Sequence, residues 1–335
     1  MPPKVVVTNW IHSQAADLLR SHCTLMTNPT REPWSREEII GNARDATGLM
    51  MFMPDRVDDA FLAQCPRLRI IACALKGYDN FDVEACTRRG VWLTVVPDLL
   101  TVPAAELTIG LLISLARNVT AGDGFIRSGE FNGWRPRLYG TGLAGSTVGV
   151  LGMGKIGTAI VERLRDFNCR ALNYHDKRRL EKEGERVLGL RYVSLEELLS
   201  RSDFLIVAIP LTDETKHQIG AEALSAMKPG SYLLNIARGS VVDEQAVAEA
   251  LARRHLAGYA ADVFETEDWA RADRPREIPQ RLLDQPGKTL FTPHLGSAVH
   301  QVRTEIEIAA ARAIIQVLHG QSPDGAVNRP ATASD

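Results

Sequence analysis

Residues 146–167 read STVGVLGMGKIGTAIVERLRDF, and this stretch decides the fold. An apolar run ends in Gly152-Met153-Gly154-Lys155-Ile156-Gly157, and an amphipathic helical pattern starts at once. Strand, tight glycine turn and helix amino terminus together make a seat for a pyrophosphate. The glycines let the backbone come close, and the first helical N–H groups carry partial positive charge. Asp176 stands nineteen residues past Gly157, after the next apolar run. An acid at that spacing accepts hydrogen bonds from adenosine ribose hydroxyls and repels a 2′-phosphate. Lys177, Arg178 and Arg179 follow, and a cation there could pair with such a phosphate. The stretch reads as an NAD site that tolerates NADP.

Downstream, CRALNYHD, SLEELLSRSDFLIVAIPL, ALSAMKPGSYLLNIARG, DEQAVAEALARRHLAGYAADVF and KTLFTPH continue the alternation of strand and helix. With the first run they give six strand-like segments, which predicts a doubly wound parallel sheet. Upstream, the first hundred residues alternate as well: KVVVTNW, ATGLMMFM, LRIIACAL and VWLTVVP are strand-like, with amphipathic stretches between them. That predicts a second parallel α/β unit. TVPAAELTIGLLISLARN (101–118) starts like a helix, with Thr101 as cap and Pro103 in the first turn. It is largely apolar, so burial between domains or between subunits is expected. After Gly296 comes one long helical pattern, and QSPDGAVNRPATASD closes the chain as loop. The charged run HDKRRLEKEGER (175–186) is expected to be mostly solvated surface.

Bulk properties narrow the class. The 335 residues suit two domains, and 45% apolar with 24% charged residues is the balance of a globular protein with a sizeable core. A formal net charge of −2 offers no field for nucleic acid or an anionic membrane. The start, MPPKVVVTNW, lacks a signal-peptide pattern, and the apolar stretch 107–116 is short of the roughly 20 residues that span a bilayer. Five cysteines, an odd count with no C-x-x-C spacing, favour neither a disulfide framework nor a metal site. The expectation is a cytoplasmic protein without metal.

Three later stretches carry chemistry. NIARGSVVDEQAV sets Arg238 at the end of one strand, GYAADVFETEDW sets Asp262, Glu265 and Glu267 at the end of the next, and LFTPHLGSA sets His294 at the end of the last. Ligands of a doubly wound sheet sit outside the carboxyl ends of its strands, so these residues share an edge with the glycine turn. Hydride transfer needs an acid or base tuned near neutral pH, which histidine supplies. A carboxylate beside it fixes the tautomer, and an arginine clamps an anionic substrate with a planar fork of donors. In the first domain ACALKGYDNFD (72–82) leaves Lys76 between a buried strand and a glycine turn, where a charge is costly unless something answers it.

N-x-x-R-G, D-V-[FY]-E-x-E and T-P-H-x-[GA], all present here, resemble the signatures of the D-isomer-specific 2-hydroxyacid dehydrogenases. The resemblance implies a Rossmann cofactor domain at 101–295 and a flavodoxin-like, discontinuous substrate domain at 1–100 and 296–335, with the active site in the cleft. It implies Arg238 as substrate clamp, His294 as acid/base and Glu267, the second of the two glutamates, as its partner. Asp262 would lie near the nicotinamide. Cofactor contacts would come from Gly152, Gly154, Lys155, Ile156, Gly157 and Asp176, from Ala208, Ile209 and Pro210, and from Ile236, Ala237, Asp262, His294 and Gly296. A homodimer is also implied, with AAELTIGLLISLARN as interface helix.

Within that family ALKGYDNFD, PDLLTVP, IRSGEFNGWRPRLYGTGL and EDWARADRP look like the phosphite-oxidising dehydrogenases. That likeness implies phosphite as substrate, held by Lys76, Gly77, Arg238 and Arg303, with Met53, Trp134 and Tyr139 around it. Two positions depart from the pattern: Ala104 replaces a threonine, and Ala237 a cysteine. The alternative is a dehydrogenase of a small organic 2-hydroxy or 2-keto acid on the same scaffold. A third reading, a non-catalytic NAD-sensing interaction protein, is disfavoured by the intact Arg238, Glu267 and His294.

Overall fold

A computed structural model describes residues 2–96 and 98–330. The chain forms two compact units. Unit 1 comprises 1–100, 269–272 and 298–335, and unit 2 comprises 101–268 and 273–297. The segment 269–272 falls within the 101–295 that the family resemblance implies for the cofactor domain. It joins unit 1 because the Ala270 N–H donates to Asn80 Oδ1 at 3.1 Å. Gly296, read as the start of the returning substrate domain, stays with unit 2, where its N–H donates to Asp262 Oδ2 at 2.8 Å.

Unit 1 holds a parallel sheet of β1 (Lys4–Val7), β2 (Thr24–Thr27), β3 (Gly48–Met51), β4 (Ile70–Cys73) and β5 (Trp92–Thr94), in the order β2-β1-β3-β4-β5. This is the flavodoxin-like strand order. The central strands are unbroken apolar runs because helices cover both faces. One of those helices, His300–Leu318, packs on β3, β4 and the helix Ser13–Arg20. The sequence does not predict β2, a four-residue edge strand with no buried position.

Unit 2 holds β6 (Thr147–Leu151), β7 (Ala171–His175), β8 (Leu190–Tyr192), β9 (Phe204–Val207), β10 (Ser231–Asn235), β11 (Leu256–Ala261) and β12 (Thr289–Phe291), in the order β12-β11-β10-β9-β6-β7-β8. All pairings are parallel, and the order reverses between β6 and β9 as in a Rossmann sheet. Seven strands replace the six expected. The addition, β8, is a three-residue edge strand whose LRY reads as loop.

Register makes the edge functional. Leu151 pairs with His175 and with Val207, and Asn235 pairs with Val207 and with Ala261. The strands therefore end level, and the residues just beyond them line one border. The helix Thr101–Ala116 begins with Thr101 rather than being capped by it, and the threonine hydroxyl is buried without a partner. This helix packs inside unit 2, on the helix Lys155–Leu164 and on β11. No single helix among the described residues is long and apolar enough to cross a membrane.

Candidate active site

The glycine turn leaves β6 at Gly152, whose φ of +100° favours glycine. A Cβ there would meet the Ala208 carbonyl oxygen at 2.5 Å, and one at Gly157 would meet the Gly152 oxygen at 2.1 Å. Both positions require glycine. Gly154, the cap of the helix Lys155–Leu164, has open space where a side chain would stand. The helix N–H groups therefore face out without a side chain of their own to satisfy them, as a pyrophosphate needs. Ala208 leads Ile209 and Pro210 out of β9, its N–H held on the Leu151 carbonyl at 2.8 Å.

Asp176 lies beside this turn because β7 ends level with β6. Its Oδ2 accepts from the Met153 N–H at 2.7 Å and its Oδ1 from the Arg178 N–H at 2.9 Å. Met153, Gly154, Asp176, Arg178 and Arg179 line a pocket there. The three cations after Asp176 part ways. Arg179 forks onto Glu185 at 2.7 and 2.8 Å and stacks over Tyr192, and Lys177 lies 4.0 Å from Glu214. The charged run is thus not all solvated. Glu185 is buried and also accepts from the Tyr174 hydroxyl at 2.7 Å, and the Arg179 pair followed by the tyrosine holds its carboxyl down at about 2.

Arg238 follows β10 on a loop that Asn235 ties at both ends. Its Nδ2 donates to the Arg238 carbonyl at 2.9 Å, and its Oδ1 accepts from the Ala237 N–H at 3.1 Å. Gly239 has no room for a Cβ, which would lie 1.9 Å from the Phe264 carbonyl carbon. The N-x-x-R-G pattern is therefore a packed corner that aims an arginine, with Ile236 and Ala237 half-buried inside it.

Asp262 staples the histidine loop. Its Oδ1 accepts from the Thr292 hydroxyl at 2.6 Å and the Leu295 N–H at 2.7 Å, while Oδ2 takes the Gly296 N–H. Burial pushes its carboxyl pKa up, and these bonds oppose it. His294 sits inside the loop at φ +55°, a strained conformation for a histidine. Its Nδ1 lies 2.7 Å from Glu267 Oε2, and Glu267 Oε1 accepts from the Phe264 N–H at 2.7 Å. Glu265 faces elsewhere, with Oε2 2.8 Å from His217 Nε2. The carboxylate holds the imidazole tautomer and leaves Nε2 as the nitrogen that exchanges a proton.

In unit 1, β3 and β4 pair as far as Met51 with Cys73, so Met53 and Lys76 leave the sheet on the same border. Lys76 and Gly77 are half-buried, three and four residues past the strand. Met53 packs on the core, and its carbonyl accepts from Asn80 Nδ2 at 2.8 Å. Arg303 is not a solvated helix residue. Its Nη1 donates to the Ala74 carbonyl at 3.3 Å, its guanidinium lies over the Phe52 ring, and Nη2 is 3.9 Å from Glu307 Oε1. Glu307 in turn accepts from the His12 N–H at 2.8 Å and lies 2.9 Å from its Nδ1. Trp134 and Tyr139, both in unit 2, are 77% and 74% exposed.

The model of the D-isomer-specific 2-hydroxyacid dehydrogenase NAD-binding domain matches residues 109–296. The chain belongs to the D-isomer-specific 2-hydroxyacid dehydrogenase family. A glyoxylate reductase of Pyrococcus furiosus is 38% identical over 98% of this chain and 96% of its own. A solved protein of Thermus thermophilus superposes with a TM-score of 0.87 at 34% identity, over 97% of this chain and all of that one. An NADPH-dependent glyoxylate/hydroxypyruvate reductase of Sinorhizobium meliloti, solved with NADP and malonate, gives 0.84 at 28% identity over 99% and 100%. The dehydrogenase is an oxidoreductase with an NAD-binding domain, and its glycine turn and Asp176 fit that cofactor. None of these three relatives is named for phosphite, so the finer likeness read from the sequence gains no support from them.

Proposed function

We propose that the dehydrogenase oxidises phosphite to phosphate with NAD as acceptor. The observation that carries this reading is the bond from Arg303 to the Ala74 carbonyl, two residues before Lys76 in the chain, which ties a second cation of unit 1 to the segment that bears the lysine. A 2-keto acid carries one negative charge, which the fork of Arg238 suffices to hold. Phosphite carries two near neutral pH. At about 4 Å and an effective dielectric near 20, each further charge pair is worth on the order of 4 kcal/mol before desolvation is subtracted. The reading assigns Lys76, Arg303 and Arg238 to the oxyanion. His294, its tautomer fixed by Glu267, takes a proton from the water whose oxygen adds to phosphorus as the P–H bond breaks. The glycine turn and Asp176 would hold NAD, which would supply the hydride acceptor, so that the hydrogen leaves phosphorus with its electron pair and phosphate is the product.

The names of the relatives favour a second reading, reduction of glyoxylate or a similar 2-keto acid. Arg238 would then hold the carboxylate, and His294 would protonate the carbonyl oxygen. One pair of assays separates the two: absorbance at 340 nm with phosphite and NAD, and with glyoxylate and NADH. The first reading expects phosphite to be the better substrate by kcat/KM. It also expects Lys76→Met to cost at least ~2 kcal/mol, roughly thirtyfold, on phosphite. Turnover of glyoxylate but not phosphite, or a silent Lys76→Met, would hand the site to the second reading.

A further inference from the structure

Behind the His294–Glu267 pair lies a group of ionisable side chains that the proposed chemistry leaves unused. The turn Glu265–Glu267 sends its two carboxylates in different directions. Glu267 meets His294, while Glu265 meets the first residue of the helix Glu244–Ala252. Contact there is reciprocal: Glu244 Oε1 accepts from the Glu265 N–H at 2.8 Å, and Glu265 Oε1 accepts from the Glu244 N–H at 3.2 Å. Glu244 is 1% exposed, and its second oxygen, Oε2, is buried without a hydrogen-bond partner.

We propose that Glu244 is a positioning residue for the His294–Glu267 pair, and that its clamp on Glu265 fixes the turn from which Glu267 reaches the histidine. The inference rests on the reading of His294 as the base. The groups that press on Glu244 are Glu265, Glu267 and Asp268 from the turn, and Tyr259 from β11 faces its charge as well. The imidazole of His217 is spent on Glu265. An ionised Glu244 would set another buried negative charge among three carboxyl groups, whereas a protonated one adds none. Burial, and after it these carboxylates, push the Glu244 carboxyl up to about 8, so the acid is neutral where the enzyme is assayed and ionises on the alkaline side. Ionisation strengthens the bond from the Glu265 N–H but sets Glu244 against the carboxylates of Glu265, Asp268 and Glu267, and a shift of the turn that carries Glu267 relieves that repulsion.

The test compares wild type, Glu244→Gln and Glu244→Ala on the full chain, with folding checked by circular dichroism. The substrate is whichever of phosphite or glyoxylate the wild type turns over. We expect wild-type kcat to fall as pH rises through about 8. Glutamine keeps the acceptor for the Glu265 N–H and cannot ionise, so Glu244→Gln should stay within about threefold of wild type at pH 7 and hold that kcat to pH 9. Glu244→Ala should lose kcat at least about tenfold while KM for NAD moves less than about threefold. An alkaline limb of Glu244→Gln that coincides with wild type overturns the proposal, and so does a folded Glu244→Ala with wild-type kcat. Should Glu244→Ala fail to fold, the glutamine profile decides alone. His294→Asn serves as control: activity there overturns the base assignment itself, whereas the other two outcomes overturn only the clamp.

Discussion

His294 combines two demands that seldom meet in one residue, a proton-transfer group and a left-handed backbone at φ +55°. Asparagine tolerates that conformation better than other side chains, so His294→Asn removes the base without straining the loop. Turnover should fall by at least about a thousandfold, while NAD affinity, which rests on the glycine turn and Asp176, stays within about threefold. Initial rates and a fluorescence titration with NAD check both halves, and residual activity within tenfold of wild type would acquit the histidine. Asp176 sets cofactor choice at the same scale. Asp176→Ala should raise kcat/KM for NADP more than it lowers that for NAD. Because Arg179 is committed to Glu185, the gain should vanish when Arg178→Ala is added and persist when Arg179→Ala is added. An NADP/NAD ratio unmoved by Asp176→Ala would show that the acid does not face the ribose.

Between β6 and its helix, two glycines of one turn should behave in opposite ways. A methyl at Gly157 would lie 2.1 Å from the Gly152 oxygen, so Gly157→Ala must push helix from turn. We expect it to cost ~1–3 kcal/mol of stability and to abolish NAD binding. Gly154 has open space at its Cβ, so Gly154→Ala should fold with near-normal stability and still weaken NAD, because the methyl occupies the face left for the pyrophosphate. Equal melting losses in the two variants would refute the distinction. Elements of this kind were legible in sequence because strand, glycine turn and helix each announce themselves locally. The strand-end residues Arg238, Asp262 and His294 were legible because a parallel sheet offers ligands only one border. β2 and β8 were not, since short edge strands bury too little to leave a pattern. The Glu244–Glu265 clamp was hidden for another reason: a carboxylate bonding a distant backbone N–H has no periodicity or motif. The burial of Glu185 inside a charged run was hidden because its partners are side chains, the Tyr174 hydroxyl and the Arg179 guanidinium.

At the scale of the molecule, the sequence spelled out two alternating series, but nothing local says that 269–272 returns to unit 1, where the Ala270 N–H donates to Asn80. Two units imply two pH responses. In unit 2 Glu244 is raised from 4.5 to about 8, and in unit 1 Asp55 is raised from 3.8 to about 6, both chiefly by burial. Each group holds its proton in the folded state at pH values where the unfolded chain has lost it. Stability from each is therefore full below the unfolded value, lost as pH rises through the folded one, and flat beyond. Unit 2 should weaken between pH 4.5 and 8, and unit 1 between 3.8 and 6. The ceiling for Glu244 is about 5 kcal/mol at ~1.4 kcal/mol per pH unit, and relaxation with water entry should leave about half. Glu244→Gln should remove most of the slope of unit 2, leaving the part that the raised carboxyl of Asp262 contributes, and leave that of unit 1 intact. Because two units need not unfold together, amide exchange read separately in β10–β11 and in β3–β4 is the measurement. A variant whose β10–β11 protection still falls with pH as in wild type would show that Glu244 is ionised in the folded protein. The same slope vanishing from β3–β4 would show that the two units do not respond independently.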